Sequence, residues 1–360
     1  MKLLVRLGFL AAAVMLGGAT PGHAQFYSGK TATMVINYGA GGTIDIEGRL
    51  FQRHLPKHIA GKPTIIAQNM PGAGGLTAVN ALGKGVVGKP DGLTFGFFAF
   101  SPIAMVIGDP ALQVNIADFS AVGGIGAWYV AYGRKDMLPG AQRPADMPKV
   151  EKMVYAGGYS PTSVHDVRMR LMLDLMGVKY KIIRGFQDVS AVNKAMLQNE
   201  VNFTAISLPG YENSTVPQVI DTGVALPLWQ FPTSGPNGSF LDKPGLTARG
   251  IQSYELVYRD AFGKMPSGPQ FDAFILLNDV SAKLGRVILM PPGTPPAAVA
   301  EMRKAYVALA SDEDFKAEYL KTVRVEADLA MPEDAAAVLD KLKAVGPAVV
   351  QVIEKAASVE

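Results

Sequence analysis

Three hundred and sixty residues are more than one hydrophobic core comfortably serves, and the length points to two domains. With 49% hydrophobic and 18% charged residues, 39 glycines and 25 prolines, the composition is that of a turn-rich globular protein and excludes a disordered or coiled-coil chain. The formal charge of +3 includes Lys2 and Arg6, which lie in a segment expected to be removed, and no Lys/Arg cluster supplies the electrostatic footprint of a nucleic-acid binder.

The chain opens with Lys2 and Arg6, an apolar run from Leu7 to Leu16, and small residues ending at Gly22-His23-Ala24. This is the pattern of a secretory signal peptide over residues 1–24, cleaved near Ala24. Its apolar run is too short for an anchor, since a membrane-crossing helix needs roughly 20 apolar residues. Cysteine is absent, so there is no disulfide framework, no thiolate metal site, no thiol nucleophile and no lipid-bearing cysteine. The later apolar stretches are broken by Gly, Pro or charge before they reach membrane-spanning length. The expected product is soluble and exported.

From Thr31 to Tyr38 a short apolar run ends at Gly39-Ala40-Gly41-Gly42 and gives way to helical spacing in Ile44, Leu50, Phe51 and Leu55, which reads as strand, glycine loop, helix. The arrangement recurs at once in Pro63 to Met70, then Pro71-Gly72-Ala73-Gly74-Gly75, then a helix from Leu76 to about Gly83. After the turn Pro90-Asp91-Gly92, a third strand runs from Leu93 to Phe100. Strands alternating with helices predict a parallel sheet covered on both faces. A second α/β unit follows: strand Lys152 to Ala156, helix Ser163 to Met176, strand Lys179 to Arg184, helix Val189 to Gln198 and strand Val201 to Leu208. Beyond Trp229 the periodicity weakens, and Pro232 to Lys243 reads as loop. Amphipathic helices return at Ala297 to Ala310, Glu313 to Lys321 and Pro332 to Leu342, after the rigid turn Pro291 to Pro296. The two units and the late return of helical chain predict one domain from 25–124 plus 286–360 and another from 125–285.

Ligands of α/β sheets sit beyond the carboxyl ends of the strands, where glycine loops let backbone N–H groups approach and helix N-termini add partial positive charge. Two such loops on neighbouring strands make an anion site, though each alone could be only a tight strand-to-helix turn. Neither loop continues to Gly-Lys-Ser/Thr, and Ile44 and Thr77 stand where the last glycine of a dinucleotide fingerprint would be. Phosphate is thereby disfavoured, and a carboxylate, which neutral donors can hold, is the expected anion.

Gly39-Ala40-Gly41-Gly42-Thr43-Ile44-Asp45-Ile46-Glu47-Gly48-Arg49, then Asn69 to Gly75, then Pro90-Asp91-Gly92, resemble in order and spacing the solute-binding proteins of tripartite tricarboxylate transporters, the Bug family. The stretch Tyr155 to His165, Gly185, the run Leu197 to Asn202 and the turn Pro292-Gly293-Thr294-Pro295 resemble later motifs of that family, so the resemblance covers most of the mature chain. It implies two Rossmann-like α/β domains joined by a hinge, in the type II periplasmic-binding-protein architecture. It also implies a small organic carboxylate held in the interdomain cleft and delivered to membrane permease subunits, with no catalysis, cofactor, metal or nucleic acid. A soluble periplasmic monomer is expected. The ligand residues so implied are Tyr38, Gly39, Gly41, Gly42, Thr43 and Asp45 from the first loop, Ala73, Gly74 and Gly75 from the second, and Tyr159, Ser160, Thr162 and Ser163 from the second domain. Asp45 also stands in the first turn of a helix, where a carboxylate serves the helix dipole. Pro161 replaces a family glycine and removes a donor, Ile183 replaces a tyrosine, and Asn202 replaces an acid, which speaks against a ligand carrying an amine. The segment from Pro232 to Arg286 departs from the family pattern.

His54 and His58 have a metal-binding spacing, but Pro56 between them ends the helix that would align them. His165 beside Asp166 invites an acid-base reading, and an exported hydrolase is the contrary class. No nucleophile motif accompanies the pair, and His165 is expected instead to steady the loop before it. A sensory adaptor that hands its ligand state to a kinase would bind in the same way as a transport protein. N-terminal sequencing of the exported protein should begin at Gln25, and recovery of Lys2 or Leu3 would refute the assignment of the leader.

Overall fold

Two sheets organise the chain in the computed structural model, which describes residues 26–137, 143–186 and 188–358. The leader expected over residues 1–24 lies outside the described residues. Strands β1 (Thr31–Ile36), β2 (Thr64–Asn69), β3 (Thr94–Ala99) and β4 (Ser120–Ile125) belong to the first sheet. The second contains β5 (Tyr129–Arg134), β6 (Val154–Gly157), β7 (Tyr180–Ile183), β8 (Phe203–Ser207) and β9 (Ala225–Gln230). A two-residue ladder of β10 (Thr233–Ser234) and β11 (Phe240–Leu241) follows, and β12 (Arg286–Met290) and β13 (Leu329–Ala330) return to the first sheet. The strand orders are β13-β4-β12-β3-β1-β2 and β7-β6-β8-β5-β9.

The expected parallel sheet is found only for β1 with β2 and β3, and for β6 with β7 and β8. β12 runs antiparallel between β3 and β4, and β5 runs antiparallel to β8 and β9. The cause is the crossing of the chain. β4 ends at Ile125 and β5 starts at Tyr129, so the chain enters the second sheet at the edge where β6 and β8 finish and must run the other way. β12 re-enters the first sheet by the same logic. The carboxyl ends of the parallel strands in both sheets therefore lie on the side where the crossings occur.

The two crossings touch. The Ala127 N–H donates to Ser281 O at 2.8 Å, and that of Gly126 to Asp328 O at 2.7 Å. A Cβ at Gly126 would lie 2.1 Å from Ala282 O, and one at Gly285 would lie 2.5 Å from the Ala127 methyl. Both positions need glycine because backbones meet there.

Helix Pro269–Leu284, in the segment without a family pattern, feeds the second crossing. Pro269 opens it and Gly268, at φ 95°, turns the chain into it. Its first half buries Phe271, Phe274 and Leu277 in the core of the second sheet, and its last turns bury Val280 and Leu284 in a core of the first. The C-terminal helix Pro347–Ser358 seats Ile353, Ala356 and Ala357 in that same second-sheet core. Among the described residues no helix is long and apolar enough to cross a membrane.

A buried ion pair ties these parts together. Arg286, the first residue of β12, donates from Nε to Glu47 Oε2 at 2.6 Å, and the Tyr319 hydroxyl donates to Glu47 Oε1 at 2.6 Å. The side chains of Arg286 and Glu47 are 8% and 2% exposed. Burial disfavours the Arg286 charge, but Glu47 outweighs it and holds the pKa above the ordinary value. At the rim, Lys243 Nζ from the second sheet's segment and Trp128 Nε1 both donate to Asp328 Oδ2, at 2.6 and 3.0 Å. Glu47→Ala should cost about 3–5 kcal/mol by leaving Arg286 buried without its anion. Denaturant unfolding of parent and variant reads that loss directly, and a loss under about 1 kcal/mol, the scale of an exposed pair, would show that Glu47 does not carry this charge.

Candidate functional site

The first glycine loop leaves the carboxyl end of β1 and enters helix Thr43–His54, and the second leaves β2 and enters helix Leu76–Gly83. β1 and β2 are neighbours, in register from Thr31 opposite Thr64 to Ile36 opposite Asn69, so the two loops lie side by side. Neither helix has a side-chain cap. Gly42 stands at one N-cap and Gly75 at the other, and residues 39–42 and 72–74 are exposed. First-turn N–H groups of the first helix are thus left to solvent or to an anion, while at the second the Gly75 and Thr77 N–H groups turn back on Gly72 O and that of Leu76 on Ala73 O.

The loops are held by a polar network centred on Asp45. Its Oδ2 accepts from the Gly41 N–H at 2.9 Å and from Arg49 Nε at 3.0 Å, and its Oδ1 accepts from Asn69 Nδ2 at 2.9 Å. Burial opposes the Asp45 charge, yet the bonds from Arg49, Gly41 and Asn69 outweigh it and hold the carboxyl below the usual aspartate range. Arg49 also donates to Asn69 Oδ1 at 3.1 Å, and Asn69 Nδ2 donates to the Tyr38 carbonyl at 2.9 Å. The Tyr38 hydroxyl reaches Gly74 O at 3.3 Å and joins the two loops. Expected as a ligand contact, Asp45 has its oxygens engaged by the protein, and its geometry is that of a residue that positions the loop.

The glycine requirement falls elsewhere than at Gly42. That residue has φ −80°, and a Cβ there would meet only Gly39 O at 3.8 Å. At Gly74, φ is 63° and nothing lies within 4 Å of a Cβ, whereas at Gly75, φ is 98° and a Cβ would come within 2.4 Å of Asn37 Nδ2. Asn37 is buried and exchanges two hydrogen bonds with Ala99, from Nδ2 to its carbonyl at 3.1 Å and to Oδ1 from its N–H at 2.9 Å. Gly75 is therefore glycine because β1 is clipped to β3 directly beneath it.

The second wall is built differently. Helix Val164–Leu175 is capped by Ser163, whose Oγ accepts from the Asp166 N–H at 3.1 Å and donates to Asp166 Oδ1 at 3.0 Å. Asp166 Oδ1 also accepts from the Tyr159 N–H at 2.8 Å, and its Oδ2 from Arg184 Nε at 3.3 Å. The expected second-domain residues thus divide by position. Ser163 spends its hydroxyl on the cap, Thr162 is exposed, and Tyr159 and Ser160 are half-buried. His165 has its Nε2 3.2 Å from Gly157 O and its ring 4.5 Å from that of Tyr159, which is the loop-steadying position expected of it. Burial lowers its pKa. The Asp166 oxygens serve the loop, so the pair is not arranged as an acid-base dyad.

Asn202 lies at the amino end of β8, where its Oδ1 accepts from the Tyr155 N–H at 2.9 Å, at the opposite end of the strand from the loops. Contrary to expectation, its replacement of an acid therefore says nothing about whether the ligand carries an amine. His54 and His58 sit on a helix end and the following 3-10 turn, 2.6 Å from Glu318 Oε2 and 2.8 Å from Asp312 Oδ2. Among the described residues no group of three or more His, Asp or Glu could hold a metal.

Sequence reading missed Tyr129, the first residue of β5. Its ring stacks on that of Phe231 at 5.9 Å between centroids and covers the Arg168 guanidinium, whose carbon lies 3.7 Å from its centroid. It also missed Asn37 and Asn69, although Asn69 stands in the motif preceding the second loop.

No family model and no curated protein sequence matches the chain. Solved structures do. A TctC solute-binding protein from Polaromonas without ligand is 18% identical at a TM-score of 0.61, over 91% of this chain and 99% of that one. MatC from Rhodopseudomonas palustris, solved with bound malate, is 17% identical at 0.62, over 91% and 99%. The periplasmic binding protein BugD is 17% identical at 0.63, over 93% and 99%. The fold is that of the type II periplasmic binding proteins, and these neighbours are of the tripartite tricarboxylate type that the glycine motifs resemble.

The depressed Asp45 pKa makes stability pH-dependent in a stated direction. Its contribution is present above the ordinary carboxylate pKa of about 4 and is lost as pH falls through the folded value. Asp45→Asn should flatten the acid limb of the stability curve measured by denaturant titration between about pH 6 and 2, and an unchanged limb would refute the assignment.

Proposed function

We propose that this protein is a periplasmic solute-binding protein that captures a small organic carboxylate between its two sheet units and delivers it to the permease subunits of a tripartite tricarboxylate-type transporter. The observation that carries this reading is the contrast between the walls. Two neighbouring helices of the first unit start without side-chain caps behind exposed glycine loops, while the facing helix of the second is capped by its own serine. Uncapped, adjacent N-termini at the carboxyl ends of parallel strands favour an anion. The malate bound in MatC, a structure of the same fold, supports a carboxylate as that anion.

In this reading the N–H groups around Gly39, Gly42 and Thr43, and those of Ala73 and Gly74, hold one carboxylate, while Gly41 and Gly75, whose N–H groups are bonded to Asp45 Oδ2 and Gly72 O, shape the two loops. Tyr38 and Asp45 shape the loops, and Tyr159, Ser160, Thr162 and Ser163 line the facing wall. Residues 25–124 with 286–346 form one domain and 125–285 the other, to which the C-terminal helix Pro347–Ser358, expected in the first, is added by its packing in the second-sheet core, and the paired crossings at 126–128 and 285 act as the hinge. The protein works as a monomer in the periplasm, without catalysis, metal or cofactor.

Because Gly42 has an ordinary φ and open space at its Cβ position, Gly42→Val should fold as the parent does yet place a side chain where the anion sits. Calorimetric titration with a panel of C4 to C6 carboxylates should show binding lost in Gly42→Val. In Thr43→Val it should be weakened by roughly threefold to tenfold, the worth of one neutral hydrogen bond. Gly75→Val should lose stability instead, by the clash with Asn37 and a strained φ. A folded Gly42→Val protein that binds like the parent would place the site elsewhere.

A further inference from the structure

A recess of about 320 Å³ lies under the second glycine loop, between the carboxyl ends of β1 and β3 and the start of helix Leu76–Gly83. Gly74 at its rim is exposed and Leu76 and Ser101 are half-buried, whereas Val79, Ile116 and Leu289 are buried, so it opens beside the loop and closes on the core. The floor is apolar. Asn37, which also borders it, has its amide nitrogen and oxygen both engaged by Ala99, at 3.1 and 2.9 Å. At the rim the Gly75 N–H is spent on Gly72 O at 2.8 Å, and Gly74 O accepts from the Tyr38 hydroxyl at 3.3 Å. A water held here would need two to four polar partners, and with Asn37 engaged the lining side chains add only the Ser101 hydroxyl. Space of this kind stays dry and takes apolar groups.

Gly74 belongs both to this recess and to the anion cradle, so a carboxylate held by the Ala73 and Gly74 N–H groups has the mouth of the recess beside it. Interiors are otherwise packed to crystal-like density, and a gap bordered by Val79, Ile116 and Leu289 leaves dispersion contacts unmade until something enters. We propose that this recess seats an apolar branch of the bound carboxylate, which makes the ligand a carboxylic acid carrying a branched alkyl group close to its carboxyl end. This rests on the carboxylate-binding reading above and names the ligand class within it. The two ends of the ligand are then recognised by different physics. Main-chain N–H groups fix the carboxylate, and the recess adds affinity through apolar area removed from water, about fourfold for each methyl group it covers. A hydroxyl in the same place would lose its water without gaining a full set of partners, so the recess selects against polar isosteres.

Titration calorimetry of the parent, Ser101→Leu and Val79→Ala with butyrate, 3-hydroxybutyrate, 3-methylbutyrate and 4-methylpentanoate tests this. In the parent, 3-methylbutyrate should bind about fourfold or more tightly than butyrate, and more tightly than 3-hydroxybutyrate, which has nearly the same shape. Ser101→Leu, whose side chain enters the recess from its rim, should bring both ratios close to one. Val79→Ala deepens the floor and should move the preference the other way, raising the affinity for 4-methylpentanoate relative to 3-methylbutyrate by about fourfold. Circular dichroism checks that both variants are folded. Should Ser101→Leu fail to fold, Val79→Ala decides alone, because an enlarged recess must shift the chain-length preference. Equal affinities for 3-methylbutyrate and 3-hydroxybutyrate in the parent, or a preference that survives in folded Ser101→Leu or stays unmoved in Val79→Ala, overturns the proposal and leaves the carboxylate reading standing. Absence of binding by all four acids also removes it, and the carboxylate reading is then judged separately by the wider C4 to C6 panel with Gly42→Val.

Discussion

The buried Glu47–Arg286 pair holds together two parts of the chain that are far apart in sequence and must agree in space. Glu47 lies in the helix that begins at the first glycine loop, and Arg286 is the residue on which the chain re-enters the first sheet. A buried carboxylate that loses its partner is expensive, so the helix cannot slide relative to β12 without breaking the pair. The first loop and the second crossing are thereby one rigid piece, with Tyr319 closing the remaining side of Glu47. That piece borders β12, which runs antiparallel to β3, and the close approaches of the crossings at Gly126 and Gly285.

Much of this was legible in the sequence where chemistry is local. A strand ending in glycines and followed by helical spacing marked both loops, and the helix Leu76–Gly83 begins and ends where the pattern places it. Ser163 read as the start of a helix and is its cap. What could not be read is what depends on distant partners. Strand direction is set by where the chain crosses, and no residue in β12 announces that it lies between β3 and β4. The helix Pro269–Leu284 shares its apolar residues between two cores, so no single stripe marks it. Gly42 and Gly75 look alike in sequence, and only the Asn37 side chain beneath one of them makes it obligatory. Asp45 likewise reads in sequence as a ligand contact or a helix-dipole partner, and its bonds to Asn69 and Arg49 depend on residues the local motif does not reveal.

The two units solve the same local problem with the same device. In each, an aspartate in the first turn of a helix reaches back to a loop N–H and is balanced by an arginine: Asp45 with Gly41 and Arg49, Asp166 with Tyr159 and Arg184. An acid there suits the helix dipole, and the backbone bond draws the loop onto the helix start. The difference lies at the N-cap, where the first unit has glycine and the second a serine that satisfies its own helix. The helix starts of the first wall are thus without side-chain caps, while that of the second is closed by its own serine.

On the proposed reading, recognition by main-chain N–H groups has an evolutionary consequence. Substitution changes side chains and leaves the amide where it was, so such a wall is inherited almost unaltered or is lost altogether, with little in between. The facing wall, with Tyr159 and Thr162 presented as side chains, can be exchanged one residue at a time. Divergence among chains of this architecture would then concentrate on the second wall, with the first acting as a fixed reference against which new specificities are tried.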